Sequence, residues 1–351
     1  MTAAGGDAGR HRRARGPAAT AKRAAAAPVL VAPDGFKGTI DAALVAAALA
    51  KGLRAGGEDA VEMPIGDGGD GTMTALLAAL DGERIEVDVS DPLGRPTTAE
   101  LGLVEGGKTA VVEMAQASGL SLLDEADRDA FAASTRGTGE LIAAAVEAGA
   151  QRIVVTVGGS ATTDGGRGAL DALDEAGVGR VAMVVVCDVR TPWEDAPRVF
   201  GPQKGADPAT VRRLERRLAA LARNAPRDPR GVPMTGCAGG LSGGLWAHRR
   251  AQLVPGAAYV LDAVGFDEAM RSSRYVVTGE GRLDEQTMAG KAVAEVATRC
   301  RQAGVACHAV VGQDRLGDFE SRILDLASVS EAGTVDQLER AGQRIAEASR
   351  P

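Results

Sequence analysis

The sequence predicts an α/β protein in which both chain ends build one parallel sheet and the middle of the chain inserts a second, mixed sheet. β-Branched apolar runs alternate with helical patterns at the two ends. The middle, from about 72 to 265, instead holds short runs of period-2 alternation with turns between them. The length of 351 residues suits one or two domains, and 3% aromatic content leaves the core to Val, Leu, Ile and Ala.

PVLVAPD (28–34) reads as the first strand. TIDAALVAAALAKGLRAGG (39–57) reads as a helix with Thr39 as N-cap, Asp41 in the first turn and Gly56-Gly57 as its stop. AVEMPI (60–65) is the second strand. RIEVDVSDPLG, TTAELGLVEGG and KTAVVEMAQ are the alternating runs of the middle. STRGTGE (134–140) precedes a helix, ELIAAAVEAGA, and IVVTV continues into a glycine-rich loop. The parallel rhythm returns with RYVVTGE (274–280), a helix at 291–304, VACHAVVG (305–312), a helix at 318–327, SVSEA (328–332) and a last helix at 334–348. The ends together supply five strands, enough for a flavodoxin-like sheet of order 2-1-3-4-5. The expected division is residues 28–71 plus 266–351 as a discontinuous flavodoxin-like domain, with 72–265 as the inserted α/β domain. A cleft between them is the natural ligand site.

Residues 1–27 stand apart. They hold six Lys/Arg against Asp7 alone and no apolar periodicity, so they read as a disordered basic tail. Setting these seven aside from 40 basic and 47 acidic residues leaves 34 against 46. That acidic balance argues against nucleic acid or an anionic membrane surface as partner. No apolar run reaches the roughly 18 residues a membrane span needs. Cys187, Cys237, Cys300 and Cys307 show no CxxC spacing, which fits reduced thiols in the cytoplasm.

The chemistry lies in loops. In VTVGGSATTDGGRG (155–168), a strand runs into small residues and one acid. Gly158 and Gly159 let backbone approach a ligand, and Ser160, Thr162 and Thr163 add hydroxyls, a combination suited to phosphate or another anion. GxxxxGK[ST] is absent. Six of the 40 basic residues are lysine, and three of those sit in glycine-bearing loops: Lys37, Lys204 and Lys291. A lysine there is a compact charge for a phosphate oxygen. Acids end strands or occupy tight loops at Asp34, Asp67, Asp70, Asp164, Asp188, Glu280 and Asp284. Such positions hold Mg²⁺ or accept a hydroxyl proton. Arg136 stands near a helix N-terminus, where anions are favoured. His11, His248 and His308 share no motif, which argues against a histidine-dependent triad.

Taken in order, APDGFKGT (32–39), GDGGDGT (66–72), DPLG (91–94), EMAQASGL (113–120), STRGTGELI (134–142), VGGSATTDGG (157–166), CDV (187–189), FGPQKGA (200–206), AGGLSGG (238–244) and TGEGRLDEQTMAGK (278–291) resemble the bacterial type I glycerate kinase family over about 28 to 335. The resemblance implies ATP- and Mg²⁺-dependent phosphorylation of D-glycerate, with 2-phosphoglycerate favoured over 3-phosphoglycerate. It implies a two-domain α/β fold and allows a homodimer. The sequence departs by a shorter stretch between Gly166 and Cys187, by Thr163 where Asn is usual, and by Cys237 where a small residue is usual. Under this resemblance Asp188, with Asp164 second, is the expected proton acceptor, and Lys204 neutralises developing charge. Gly158, Gly159, Ser160, Thr162 and Lys291 are expected on the phosphates, Lys37, Arg136 and Arg282 on glycerate, and Asp67, Asp70 and Asp284 on the metal. Two alternatives are a non-catalytic ligand-binding or regulatory protein of the same fold, and a kinase for a related small hydroxy acid.

Overall fold

The computed structural model describes residues 27–349 apart from 37, 38, 286, 288 and 289. The basic tail, except for its last residue, therefore lies outside the described residues, as does Lys37. Among the described residues, eleven strands form two sheets. β1 (Val29–Val31), β2 (Ala60–Glu62), β9 (Val276–Leu283), β10 (Cys307–Asp314) and β11 (Ser328–Glu331) build a wholly parallel sheet of order β11-β10-β9-β1-β2. Counted along the sheet's own strands, this is the expected 2-1-3-4-5 order. β3 (Glu83–Ser90), β4 (Pro96–Val104), β5 (Thr109–Glu113), β6 (Arg152–Thr156), β7 (Ala182–Cys187) and β8 (Gln252–Pro255) form the second sheet in that order. The β3/β4 and β4/β5 pairs are antiparallel and the rest parallel. The mixed sheet is thus inserted between β2 and β9.

The short stretch after Gly166 holds one helix, Arg167–Glu175, and leads straight into β7. One helix is enough for a parallel crossover. β8 gave no periodic signal: it is four residues long, ends on Pro255 and forms the sheet edge, where a missing N–H is tolerated.

Two helix starts differ from expectation. The first helix runs Ala42–Ala55, and its N-cap is Asp41, whose carboxylate accepts from the Leu44 amide at 2.8 Å. Thr39 instead donates its hydroxyl to the Phe36 carbonyl at 2.8 Å. The helix expected after STRGTGE already starts at Arg136, inside that motif. Its first turn is held by a carboxylate distant in sequence, described below.

One face of each sheet packs against a shared helical layer. Leu30 and Val276 of the parallel sheet, Val111, Val154 and Val186 of the mixed sheet, and Met73, Leu76, Val260 and Phe266 from the helices between form one apolar core. The outer face of the mixed sheet is covered by the helices Arg136–Glu147, Arg167–Glu175 and Leu241–Arg249. The outer face of the parallel sheet is covered by Ala42–Ala55 and Val335–Ala348. No described helix is long and apolar enough to cross a membrane. All four cysteines are buried free thiols.

The helices Ala42–Ala55 and Val335–Ala348 touch backbone to backbone. A Cβ at Gly52 would collide with the Glu339 carbonyl, and one at Gly342 with the Leu49 carbonyl. In an uncrowded helix, Gly→Ala gains about 0.5–1 kcal/mol. Here overpacking outweighs that gain. Gly52→Ala is expected to lower the unfolding free energy by about 1–2 kcal/mol, read by urea denaturation. A stabilised variant would show that the two helices do not make this contact.

Candidate active site

The carboxyl ends of the parallel strands from both sheets face one cleft, which is divided into three cavities with shared walls. Asp34 follows β1, and Glu280, Gly281 and Arg282 lie near the end of β9. With Asp284, Lys291 and Gly312 they line a polar cavity of about 530 Å³. The loop after β6, Val157–Ser160, and the residues after β7, Asp188 and Val189, line a second cavity of about 380 Å³. A third, of about 370 Å³, is walled mainly by Phe36, Ile40, Pro64, Ile65, Ala75 and Ala78. Lys291 belongs to the first and second cavities, and Asp70 to the second and third.

The loop after β6 is built around two glycines. Gly158 lies so close to Gly69 of the loop after β2 that a Cβ on it would overlap the Gly69 Cα. The two sheets meet here through bare backbone. Gly159 has φ +71° and carries the Asp70 carboxylate against the place where a Cβ would be. Of the four loop amides expected to face an anion, that of Gly158 is already given to the Gly68 carbonyl at 3.2 Å. Those of Gly159 and Ser160 are engaged by no other described residue.

Lys204 does not line the cavities. It is 1% exposed, beneath the loop, and its Nζ donates to Ser160 Oγ at 2.8 Å and to the Thr162 carbonyl at 2.6 Å. It fixes the loop from behind. Burial pushes its ammonium down to about 7, against the opposing pull of Asp164 and Asp188 and a smaller one from Cys237. Thr162 is also fully buried and lines none of the three cavities, and its hydroxyl is directed to the Ala238 carbonyl at 3.4 Å.

Asp164 is a structural acceptor. One oxygen accepts from the Thr135 amide (2.9 Å), the Thr135 hydroxyl (2.8 Å) and the Gly168 amide (3.0 Å), and the other from the Gly166 amide at 2.9 Å. This single carboxylate closes the N-termini of two helices, Arg136–Glu147 and Arg167–Glu175. With four donors on two oxygens, it is poorly placed to take a substrate proton. Arg136 is on the outer side of its helix. Its guanidinium pairs with Glu140 at 2.9 Å and with Glu175, which raises its pKa, and it lines none of the three cavities. Arg282 does line the polar cavity.

Two further acids, assigned no individual role above, bear on the site. Glu280 lines the polar cavity and accepts the Thr287 hydroxyl at 2.6 Å. Burial pushes its carboxyl up to about 7, with Thr287 and Lys291 pulling it down and Asp67 and Asp284 pushing it up. Its place at a strand end was the available signal. Glu113, at the end of β5, accepts from the amides of Gly71 at 3.0 Å and Met73 at 2.9 Å. It holds the N-terminus of the helix Thr72–Ala79, and through it Asp70, and burial raises its pKa. Only the motif EMAQASGL could have flagged it.

The glycerate kinase family model matches residues 29–177 and 174–348, nearly the whole described chain. The chain belongs to the glycerate kinase family. It is similar to a protein named glycerate kinase from Halalkalibacterium halodurans, at 38% identity over 322 residues, covering 81% of this chain and 85% of the relative. It is similar to the glycerate 2-kinase of Escherichia coli, at 36% identity over 368 residues, covering 91% and 97%. A solved crystal structure assigned to a glycerate kinase 2 from Salmonella typhimurium LT2 superposes with a TM-score of 0.77 at 30% identity, covering 92% of this chain and 98% of that one.

A kinase family implies a nucleotide donor, and the donor usually carries Mg²⁺. Asp34, Glu280 and Asp284 present hard oxygen ligands to the polar cavity. Among the described residues no three His, Cys, Asp or Glu side chains lie close enough to hold a metal by themselves. The set expected from sequence therefore does not assemble: Asp284 is in the polar cavity, Asp70 lies on Gly159, and Asp67 is buried beneath, accepting the Gly69 amide at 2.9 Å. This arrangement fits Mg²⁺, which is bound by one or two carboxylates plus substrate phosphates in preference to an all-protein cage.

The buried lysine makes stability depend on pH. Lys204 titrates at about 7 in the folded protein against 10.5 for an ordinary lysine. Between those values the unfolded chain binds more protons, so unfolding free energy rises with pH across that window. In Lys204→Met the rise should flatten, read by urea denaturation at pH 7 and pH 9.5. The same slope in both proteins would mean that Lys204 keeps its usual affinity for the proton.

Proposed function

We propose that the protein transfers the γ-phosphoryl group of ATP to the 2-hydroxyl of D-glycerate, giving 2-phosphoglycerate and ADP. The observation that carries the reading is Lys291, the shared wall between a cavity with Asp188 and the loop amides and a cavity with Arg282 and three carboxylates. Phosphoryl transfer asks a protein mainly to position two substrates and to spread charge. A lysine at the junction supplies positive charge where the phosphoryl group passes. The Gly159 and Ser160 amides, steadied by Lys204 beneath them, offer neutral donors to the same group.

Asp188 is the proton acceptor in this reading. The glycerate hydroxyl oxygen forms the new bond to phosphorus as the bond to the ADP oxygen breaks. The hydroxyl proton passes to the Asp188 carboxylate. Bound Mg²⁺, held by Asp284 with Asp34 or Glu280, would offset the negative charge of the triphosphate. Phosphorylation at O2 is supported by the name of the Escherichia coli relative, glycerate 2-kinase.

Asp188→Asn should lower kcat by about 10²–10⁴ while leaving the affinity for ATP nearly unchanged. The measurement is coupled ADP release with D-glycerate, alongside ATP binding by calorimetry. An Asn variant of full activity removes Asp188 from the reaction. Phosphorus NMR of the wild-type product separates 2- from 3-phosphoglycerate. The same assay run with other small hydroxy acids ranks the acceptors, and no ADP release with any of them would favour a non-catalytic binding protein.

A further inference from the structure

We propose that the purine of the nucleotide occupies the apolar cavity beside the helix Thr72–Ala79, with the triphosphate crossing the polar cavity to Lys291 and the three-carbon acid held in the cavity of Asp188. The inference rests on the phosphoryl-transfer reading and adds the direction in which the donor lies. The apolar and polar cavities share four wall residues, Asp34, Gly35, Phe36 and Thr39, and so open into each other along a broad seam. The polar cavity and that of Asp188 share Lys291 alone. The larger substrate takes the two joined spaces and the smaller takes the third.

The chemistry of the walls divides in the same way. Phe36, Ile40, Pro64 and Ile65 offer an apolar slot of about 370 Å³ to a flat base. Arg282 and Lys291 offer charge to phosphates in the next cavity of about 530 Å³. The order of the parallel sheet reverses between β9 and β1, and the crevice outside those two strands, at Asp34 and Gly281, is the topological switch point where ligands of open α/β sheets bind.

The opposite orientation would put the base at the mouth of the Asp188 cavity, against Val199, which is 54% exposed, and Phe200. It would also set the Asp188 carboxylate beside the triphosphate and away from the acceptor hydroxyl. It would leave a three-carbon acid in the largest of these three cavities. In the direction proposed, Arg282 faces phosphate, and the Gly159 and Ser160 amides face the acceptor and the phosphoryl group it receives.

Photolabelling of the full wild-type chain with 8-azido-ATP and Mg²⁺ tests this, with the modified peptides identified by mass spectrometry. The expected result is ATP-protected label on Ile40–Ala43 or Thr74–Ala78. Label on Val189–Gln203, or no ATP-protected label at all, overturns the proposal. A second arm uses Ala78→Trp, at an exposed position of its helix facing the apolar cavity. KM for ATP should rise by about 10-fold or more with KM for D-glycerate within about twofold; the reverse pattern overturns the proposal. Wild-type ADP release with D-glycerate scores the kinase reading separately. Absence of turnover with label on Thr74–Ala78 rejects the reaction and keeps the base site, whereas turnover with label on Val189–Gln203 does the opposite.

Discussion

The cleft depends on a contact between two backbones with no side chain between them. Gly158, leaving the mixed sheet, lies on Gly69, leaving the parallel sheet. Any larger residue at position 158 would separate the loops, because the collision is with main-chain atoms that cannot rotate away. The neighbouring bonds depend on this approach: Gly68 accepts the Val157 and Gly158 amides, and Asp70 reaches over Gly159. The shared helical layer beneath, whose Met73 and Val260 belong to the same apolar core as residues of both sheets, supports the two loops at that distance. The site is therefore held between elements of one continuous core.

Polar groups around this contact divide into those that face the cavities and those that hold the loops from within. Asp164, Lys204, Thr162 and Glu113 belong to the second kind. Each is buried and each satisfies backbone donors or acceptors that loops leave unpaired. An unsatisfied buried amide costs about 1–3 kcal/mol. A glycine-rich loop brings few side chains to meet that need, so charged residues from distant segments meet it. Asp188, Lys291, Arg282 and Asp284 belong to the first kind, in that they line space a ligand could fill.

The fold was largely legible in the sequence, because its information is local. The buried runs of β1, β9 and β10 and the helical periods between them fixed the parallel sheet, and alternation marked β3 and β4. Some features were not legible because their causes lie far along the chain. The start of the helix at Arg136 is set by Asp164, and the fate of Arg136 itself by Glu175, 39 residues on. Nothing in STRGTGE distinguishes an arginine aimed at a ligand from one paired on the surface. In the same way SATTDGG shows three hydroxyls and an acid, but only the tertiary structure shows that Thr162 and Asp164 face inward. Asn or Thr at position 163 is equally silent: the Thr163 hydroxyl is buried without a hydrogen-bond partner among the described residues.

In the function proposed above, the inward set lets the loop serve a negatively charged ligand without a lysine of its own in the cavity. Lys204 lies under Ser160, and burial brings its pKa to about 7, so near neutral pH it is charged only in part. A multiply negative group arriving above Ser160 favours the ammonium form. The loop's donors then gain strength from a charge that solvent cannot screen, since Lys204 is 1% exposed. Asp164 and Asp188 pull in the same direction. A permanently charged guanidinium could not adjust in this way. Nor would its planar fork match the two acceptors, the Ser160 hydroxyl and the Thr162 carbonyl, that the ammonium meets within 2.8 Å. In a chain that uses arginine for most of its positive charge, lysine at this position follows from the size and the titration that the buried place beneath the loop requires.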